Sequence, residues 1–286
     1  MNCIAPEAGS RNQETRPTWA LDELPPFPIV ASRLMQLFAR PEADITEIGR
    51  TIALEPVFAA RVLQMANSPL FAVRGEVKSI SHAIVLLGLS RVKAITVTRA
   101  IGDFVAPALR NRALRMCWQN SLAAAIIAEK IARACKMDVD LAYLGGLLRD
   151  IGRLALLVKY PDAYANLLAV SEENSYDLRS TEHELFEVDH CQAGAWMVQG
   201  LHFPPDLREA IEFHHDDFMA GTFRMVHLVH IADRLTDALG FAVLKPIDRQ
   251  SFHDVTQLLP EPARARFTED PEALTAEIDS RIQSWN

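Results

Sequence analysis

The chain has 286 residues, a formal charge of −8 at pH 7 and a pI near 5.6. Hydrophobic residues make up 49% of it and charged residues 23%, a balance typical of a soluble globular protein that excludes disorder as the main state. The length fits one large domain or two lobes. The excess of acid disfavours a general nucleic-acid or membrane surface.

The four cysteines, Cys3, Cys117, Cys135 and Cys191, form no C-x-x-C pair, which favours free thiols in a reducing compartment. A Cys–His nucleophile involving Cys117 or Cys191 is not expected. The N-terminus lacks the basic start and apolar stretch of a secretory signal. The apolar runs are shorter than the roughly 20 residues of a membrane-spanning helix. We therefore expect a cytoplasmic protein with no membrane partner.

The first part of the chain is predicted to be a tail followed by a helical lobe. Residues 1–21 are polar without periodicity and predict a flexible tail. Residues 22–107 have the apolar spacing of helices joined by short connectors, with Asp44 and Glu47 as a capping box and either Ser79 or Ser81 as a helix cap. The predicted helices are one after Pro28, Ile45–Leu54, Val57–Ala66, Ala83–Leu87 and Val92–Val105.

A second helical lobe is predicted over residues 108–240, divided from the first near Pro107. Alternating strand patterns flanked by turns are absent from the sequence, so the predicted class is all-α. Residues 241–286 form a polar C-terminal extension with one more helix. The predicted helices are Trp118–Ala134, Leu141–Val158, Glu182–Gln199, Asp206–Asp216, Phe223–Leu239 and Pro271–Trp285.

Motifs in both lobes resemble one bacterial family. The first lobe has Glu55-Pro56, then Ala66-Asn67-Ser68, then an SI..AI..LG helix over 79–88. The second has GGLLRDIGRLALL (145–157), FEVDHCQAGAWMV (186–198), EAIEFHH (209–215) and VHIADRL (229–235). This order is similar to the HDOD family over about residues 22–240. The resemblance implies an N-terminal helical lobe packed on an HD-like helical bundle.

The resemblance also implies a degenerate site. In HD phosphohydrolases, His and Asp side chains bind metal ions that lower the pKa of bound water. Asn120 and Arg149 stand where the family has histidines, and an arginine keeps its proton and repels a metal. No metal or other cofactor is expected, and the Arg149 guanidinium is expected to replace the ion, with Asp150 and Asp233 as counter-charges. The candidate cavity residues are Asn120, Arg149, Asp150, His190, His214, His215 and Asp233.

A divalent metal is the alternative to an empty site. If one binds, the matching family positions imply Asp150, His190, His214 and Asp233 as its ligands. Imidazole nitrogens must then be neutral, and carboxylates must balance the cation.

Each histidine also has a structural interpretation. His214 shares an apolar helix face with Leu207 and Ile211, which favours a hydrogen-bonded core residue. His215 is the next helical residue and is expected to point about 100° away, toward solvent.

The other cavity residues have similar alternatives. Asp189 is expected to cap a helix that His190 opens, which favours a structural role for His190. Asp150 is expected in a buried polar network. For Asp233, which borders the core, structural and functional roles are equally open.

Three functions compete. The leading one is a non-catalytic signalling module that binds a signalling protein or a small ligand through the degenerate cavity or the lobe interface, where Arg149 could pair with a phosphate or carboxylate. The second is a metal-dependent phosphohydrolase or phosphodiesterase. The third is a DNA-binding regulator using residues 44–68, but the apolar content of that segment favours two packed helices, and nucleic acid is not an expected partner. The apolar helices of the first lobe could also support an oligomer.

Overall fold

The computed structural model describes residues 19–39, 44–54, 56–67, 76–201, 203–216, 222–245 and 250–283. These residues form helices and turns and contain no β-strand, which confirms the predicted all-α class. No single helix in the described part of the chain has the length and apolar character to cross a bilayer, although one sharply bent pair, Ile80–Leu87 with the helix after it, meets those criteria jointly.

The described residues of the first lobe form six helices, five of which were predicted from the apolar spacing. Ser79, one of the two predicted caps, accepts a hydrogen bond from the His82 amide. Asp44 stands at the N-cap of another helix, but its side chain accepts no capping hydrogen bond, so the predicted capping box is not formed. The helices are α1 (Trp19–Asp22), α2 (Ile29–Ala39), α3 (Ile45–Ala53), α4 (Pro56–Ala66), α5 (Ile80–Leu87) and α6 (Leu89–Val105).

The second lobe is a bundle around one long helix, and the C-terminal extension packs against that same helix. The bundle consists of α7 (Arg112–Cys135), α8 (Val139–Leu148), α9 (Ile151–Lys159), α10 (Pro161–Asn174), α11 (Leu178–Phe186), α12 (His190–Val198), α13 (Pro205–Phe213) and α14 (Met225–Ala238). The extension contains α15 (Phe252–Thr256), α16 (Glu261–Arg264) and α17 (Pro271–Gln283).

Two helices predicted to be continuous are each broken in two. The segment Leu141–Val158 is interrupted at residues 149–150, and Glu182–Gln199 is interrupted at residues 187–189. Glu187 ends α11 with a left-handed backbone (φ 60°). Asp189 then caps α12 by accepting from the Gln192 amide, as predicted. Both breaks fall beside polar side chains that turn inward, a tertiary effect that apolar spacing does not report.

Other differences lie at element ends. Residues 19–21, predicted as tail, belong to α1, where Ala20 and Leu21 are buried; residues 1–18 lie outside the described part. Helix α10 was not predicted. Helix α13 ends at Phe213 rather than Asp216, so the next two residues lie in a turn. The predicted end of the last helix, residues 284–285, also lies outside the described part.

The two lobes share one hydrophobic core. They meet where α6 lies against α8, with the hydroxyls of Thr98 and Tyr143 2.9 Å apart. Phe27 and Phe203 add an edge-to-face ring contact at 5.4 Å. Helices α3 and α4 bury apolar side chains in the first lobe, as expected for a packed pair.

Close contact between α7 and α8 brings the site residues together. A Cβ on Gly146 would lie 2.6 Å from the Ala124 carbonyl oxygen, so only glycine allows this approach. The approach places the side chain of Asn120, on α7, against the residues at the end of α8.

Candidate functional site

Arg149 lies at the centre of the site and is fully buried. Its Nη2 donates to Asn120 Oδ1 at 2.5 Å, and its Nε donates to Asp233 Oδ1 at 2.8 Å. Its Nη1 donates to the carbonyl oxygen of Gly146, and its Nη2 is 3.2 Å from Asp150 Oδ2. The guanidinium therefore contacts both carboxylates that the sequence assigned to it as counter-charges.

Asp150 occupies the break between α8 and α9, and its two oxygens have different neighbours. Oδ2 lies 3.2 Å from Arg149 and accepts from Arg153 Nη1 at 3.3 Å. Oδ1 is buried without a hydrogen-bond partner, and it lies 3.4 Å from His190 Nε2 and 3.6 Å from His214 Nε2. Asp150 thus joins an arginine side and a histidine side of one buried polar network, as expected.

His190 is held by a buried carboxylate that sequence analysis missed. Glu182 Oε2 accepts from the His190 amide at 2.8 Å and lies 2.6 Å from its Nδ1. Tyr164 donates its hydroxyl hydrogen to the other oxygen of Glu182. The Nε2 atom of His190 faces Arg153 Nη2 at 3.1 Å. Glu182 and Tyr164 lie on α11 and α10, away from the family motifs, so no sequence signal marked them.

His214 and His215 both face the site because α13 ends before them. His214 is fully buried, as expected; its Nδ1 lies 3.2 Å from the Ile211 carbonyl oxygen, while its Nε2 has no hydrogen-bond partner. His215 Nε2 lies 3.0 Å from His190 Nε2. The expectation that His215 points away from the site is wrong, although its side chain keeps 29% of its exposure to solvent.

Cys191 joins the same group, contrary to expectation. Its Sγ lies 4.0 Å from His214 Nδ1, and its side chain is buried. The sequence supplied only its position beside His190; its meeting with His214 depends on how α12 packs on α13.

Burial and neighbouring charges shift the pKa values of Asp150 and His190. Burial opposes ionisation of Asp150, but Arg153 and Arg149 hold its pKa well below the usual range. Burial alone would lower the pKa of His190, yet Glu182 raises it to about 10. Both groups are therefore charged at neutral pH.

The pKa values of the neighbouring His214, His215 and Cys191 do not all shift in the same direction. Burial disfavours the charged form of His214, but Cys191 and Asp150 raise its pKa to about 9. Burial, together with the charges of His214 and His190, keeps the pKa of His215 well below its usual value. Burial raises the pKa of Cys191, but His190 and His214 lower it to about 6. The cluster therefore favours the thiolate form of Cys191 and the neutral form of the His215 imidazole.

An open cavity of about 710 Å³ reaches this cluster. Arg153, His190 and His215 line it, next to Arg179 and Asp189. Arg179 Nε donates to Asp189 Oδ2 at 3.1 Å. Solvent and small molecules therefore approach the histidine side of the network rather than Arg149.

The seven candidate residues are thus connected through one network. Asn120, Arg149 and Asp233 form its arginine side, and Asp150 links them to His190, His214 and His215. The metal that HD phosphohydrolases hold does not fit the arginine side, because the guanidinium already contacts Asn120, Asp150 and Asp233 with a fixed positive charge. The alternative ligand set of Asp150, His190, His214 and Asp233 is divided between the two sides.

A model of the HDOD domain matches residues 24–217, which is most of the chain. The chain belongs to the HDOD family. An HDOD domain protein of unknown function from Geobacter sulfurreducens is 25% identical to this chain. The alignment covers 92% of this chain and 91% of that protein, and the two structures superpose with a TM-score of 0.66.

Two further solved structures share the fold at lower identity, and one curated sequence is also similar. A candidate signal transduction protein of Marinobacter aquaeolei VT8 is 22% identical, with a TM-score of 0.69 over 96% of this chain and 63% of that one. A candidate phosphohydrolase of Shewanella amazonensis SB2B is 22% identical, with a TM-score of 0.63 over 92% of this chain and 94% of that one. An uncharacterized protein of Treponema pallidum is 21% identical over 68% of this HDOD chain, which spans 38% of that relative's length.

Proposed function

We propose that this HDOD protein is a regulatory module of signal transduction that does not hydrolyse phosphate esters. The observation that carries the proposal is the position of Arg149, whose guanidinium contacts Asn120, Asp150 and Asp233 where HD phosphohydrolases hold a metal ion. A fixed guanidinium neither ionises a water molecule nor leaves a coordination position open for substrate. The likeness to a candidate signal transduction protein supports the same view.

The cavity on the histidine side is the proposed binding surface for a small ligand or a segment of a partner protein. Its volume is within the range of ligand pockets. Arg153 and Arg179 line it, and guanidinium groups bind carboxylates and phosphates with two parallel hydrogen bonds. We therefore expect an anionic ligand, or an acidic side chain of a partner.

Hydrolysis assays test the absence of catalysis. Purified full-length protein is incubated with bis(p-nitrophenyl) phosphate and p-nitrophenyl phosphate in the presence of Mn²⁺, Mg²⁺ or Zn²⁺. We expect no turnover above the level of an Asp150→Ala variant. Metal-dependent turnover that Asp150→Ala abolishes would establish the competing phosphohydrolase function and refute the proposal.

Ligand binding is tested by thermal shift with inorganic phosphate and nucleoside monophosphates. A saturable rise in Tm is expected for the natural chain and a smaller one for Arg179→Gln. Lys78→Gln, an exposed cation of the first lobe, serves as the matched control and should behave like the natural chain. If Arg179→Gln leaves the response unchanged, the anion binds outside this cavity.

A further inference from the structure

Four metal-ligating side chains converge on the histidine side of the network. His190, Cys191, His214 and His215 each offer one donor atom, and these four atoms lie within 4.8 Å of one another. The first three residues are buried, and His215 is partly buried. Helix α12 begins with His190 and Cys191, and the turn after α13 supplies the other two. No other group of this kind is found among the described residues.

The donor separations fit one tetrahedral ion. Zinc bonds of about 2.0–2.3 Å place neighbouring donors roughly 3.3–3.6 Å apart. The Nε2 atoms of His190 and His215 are 3.0 Å apart, and Cys191 Sγ is 4.0 Å from His214 Nδ1. These two distances lie on either side of the required value, and none of the separations among the four donors exceeds 4.8 Å, so movements of up to about 1 Å would bring the donors into coordination.

His190 is oriented as metal-binding histidines usually are. Its Nδ1 lies 2.6 Å from Glu182 Oε2, and such a carboxylate holds a proton on Nδ1, so a cation that binds at Nε2 displaces only the other proton of the ring. Arg153 Nη2 lies 3.1 Å from this Nε2. If a cation takes the place of Nη2 at His190, the Arg153 guanidinium still has a partner, because its Nη1 donates to Asp150.

Three buried atoms in the network have no hydrogen-bond partner. Nε2 of His214 and Oδ1 of Asp150 face each other at 3.6 Å, and the third atom is Nε of Arg153. An unsatisfied buried polar atom is costly, and in a native structure it requires an explanation such as an ion. This observation is independent of the convergence of the four donors.

The local charge also favours a cation. The carboxylates of Asp150, Glu182 and Asp233 contact the network, whereas Arg149 and Arg153 supply two positive charges. One negative charge is left over before any imidazole is protonated.

We propose that His190, Cys191, His214 and His215 bind one divalent ion of the zinc type, with the protons of the Cys191 thiol and of the coordinating imidazole nitrogens released to solvent. A sulfur donor with imidazoles selects zinc and similar ions over Mg²⁺ or Mn²⁺. Four protein ligands leave no position for a reacting water, so the site is closed and stabilises the junction of α12 and α13. It is separate from the contacts of Arg149 and does not depend on the proposed regulatory function.

Metal content and cobalt spectroscopy test the proposal without reference to activity. The full-length protein is purified with reductant and without chelator, and its metals are measured by mass spectrometry. We expect about one zinc ion per chain, as in closed four-ligand sites. Loading the chelator-treated protein with Co²⁺ should produce a sulfur-to-cobalt charge-transfer band and the visible bands of tetrahedral cobalt.

Variants assign the ligands. Cys191→Ser should lose the charge-transfer band, and His215→Ala, at a partly exposed position, should weaken zinc binding at least about tenfold. Cys135→Ser, at the end of α7, is the matched control and should keep both properties. Because the first measurement uses the natural chain, a variant that fails to fold does not decide the outcome. Absence of stoichiometric metal and of the charge-transfer band in the natural chain, or an unchanged band in folded Cys191→Ser, would overturn the site.

Discussion

At the scale of single residues, Arg149 is a buried cation that contacts one amide and two carboxylates. Its charge is fully desolvated, and its partners Asp150 and Asp233 are mostly or fully buried as well. Buried pairs of this kind are costly to break, because the remaining charge has neither water nor a partner. The same arginine therefore stabilises the fold, because its contacts neutralise both carboxylates.

Replacing Arg149 by methionine should lower the free energy of unfolding by about 3–5 kcal/mol, since two carboxylates lose their buried counter-charge. Urea denaturation measures the change. Arg133→Met, which removes an exposed arginine paired with Glu129, is the matched control and should cost less than about 1 kcal/mol. A loss at Arg149 as small as that of the control would show that the carboxylates find other partners.

Asp237 should make stability depend on pH. Burial and the nearby charge of Asp233 raise its pKa to about 7, although Arg149 opposes the shift. Between the unfolded pKa and 7, the folded state binds a proton that the unfolded state lacks, so this contribution to stability is full at low pH and is lost as pH rises through 7.

Asp237→Asn should therefore raise the free energy of unfolding at pH 8 by more than about 1 kcal/mol, since one pKa unit corresponds to about 1.4 kcal/mol. Its advantage over the natural chain should shrink toward pH 5. Urea titrations at a series of pH values measure this, with the exposed Asp279→Asn as control. A difference that does not vary with pH would contradict the assignment.

At the scale of elements, the site depends on where helices stop. The break at residues 149–150 turns Arg149 and Asp150 inward, and the end of α13 at Phe213 brings both following histidines to one side. Helices α9 and α12 then pack so closely that a Cβ on Gly152 would lie 2.1 Å from the His190 carbonyl oxygen. This crossing holds His190 against Asp150.

Gly152→Ala should destabilise the protein by about 3 kcal/mol or more, because the added methyl group meets backbone atoms that have no freedom to move aside. Gly102→Ala is the matched control in α6, where the nearest atom to the new Cβ is 3.6 Å away. There alanine should be neutral or stabilise by up to about 1 kcal/mol. Thermal unfolding followed by circular dichroism compares the two, and equal effects would refute the close crossing.

At the scale of the whole molecule, the C-terminal extension is part of the folded body. Helix α17 buries Leu274, Ile278 and Ile282, and Arg281 donates to Glu129 on α7 at 3.0 Å. Asn120 also donates to the Phe241 carbonyl oxygen just after α14, which links the site to the start of the extension. The extension is polar on average, but the three buried side chains of α17 help to attach it to the bundle.

Ile278→Ala should cost about 2–5 kcal/mol and should leave unfolding a single transition, because the extension and the bundle share a core. Tryptophan fluorescence and circular dichroism should give the same midpoint. Ser280→Ala, on the exposed face of α17, should change stability by less than about 0.5 kcal/mol. Two separate transitions, or a negligible loss at Ile278, would show that the extension folds independently.

The sequence alone determined the helical class, most helix positions and the family. These follow from local information: apolar residues repeat with the helical period, caps and prolines mark helix ends, and the motifs occur in order along the chain. It also showed that Asn120 and Arg149 replace histidines, and that Asp150 and Asp233 could neutralise the arginine. Each of these conclusions concerns residue identity at a known motif position.

Only the tertiary structure decided which atoms meet. The contact of Glu182 with His190, the approach of Cys191 to His214 and the inward direction of His215 join segments whose spacing carries no common signal. Helix breaks and close crossings produce these contacts, and both depend on packing between distant segments rather than on local propensity. For that reason the arginine side of the site could be predicted from the sequence, whereas the histidine–cysteine cluster could not.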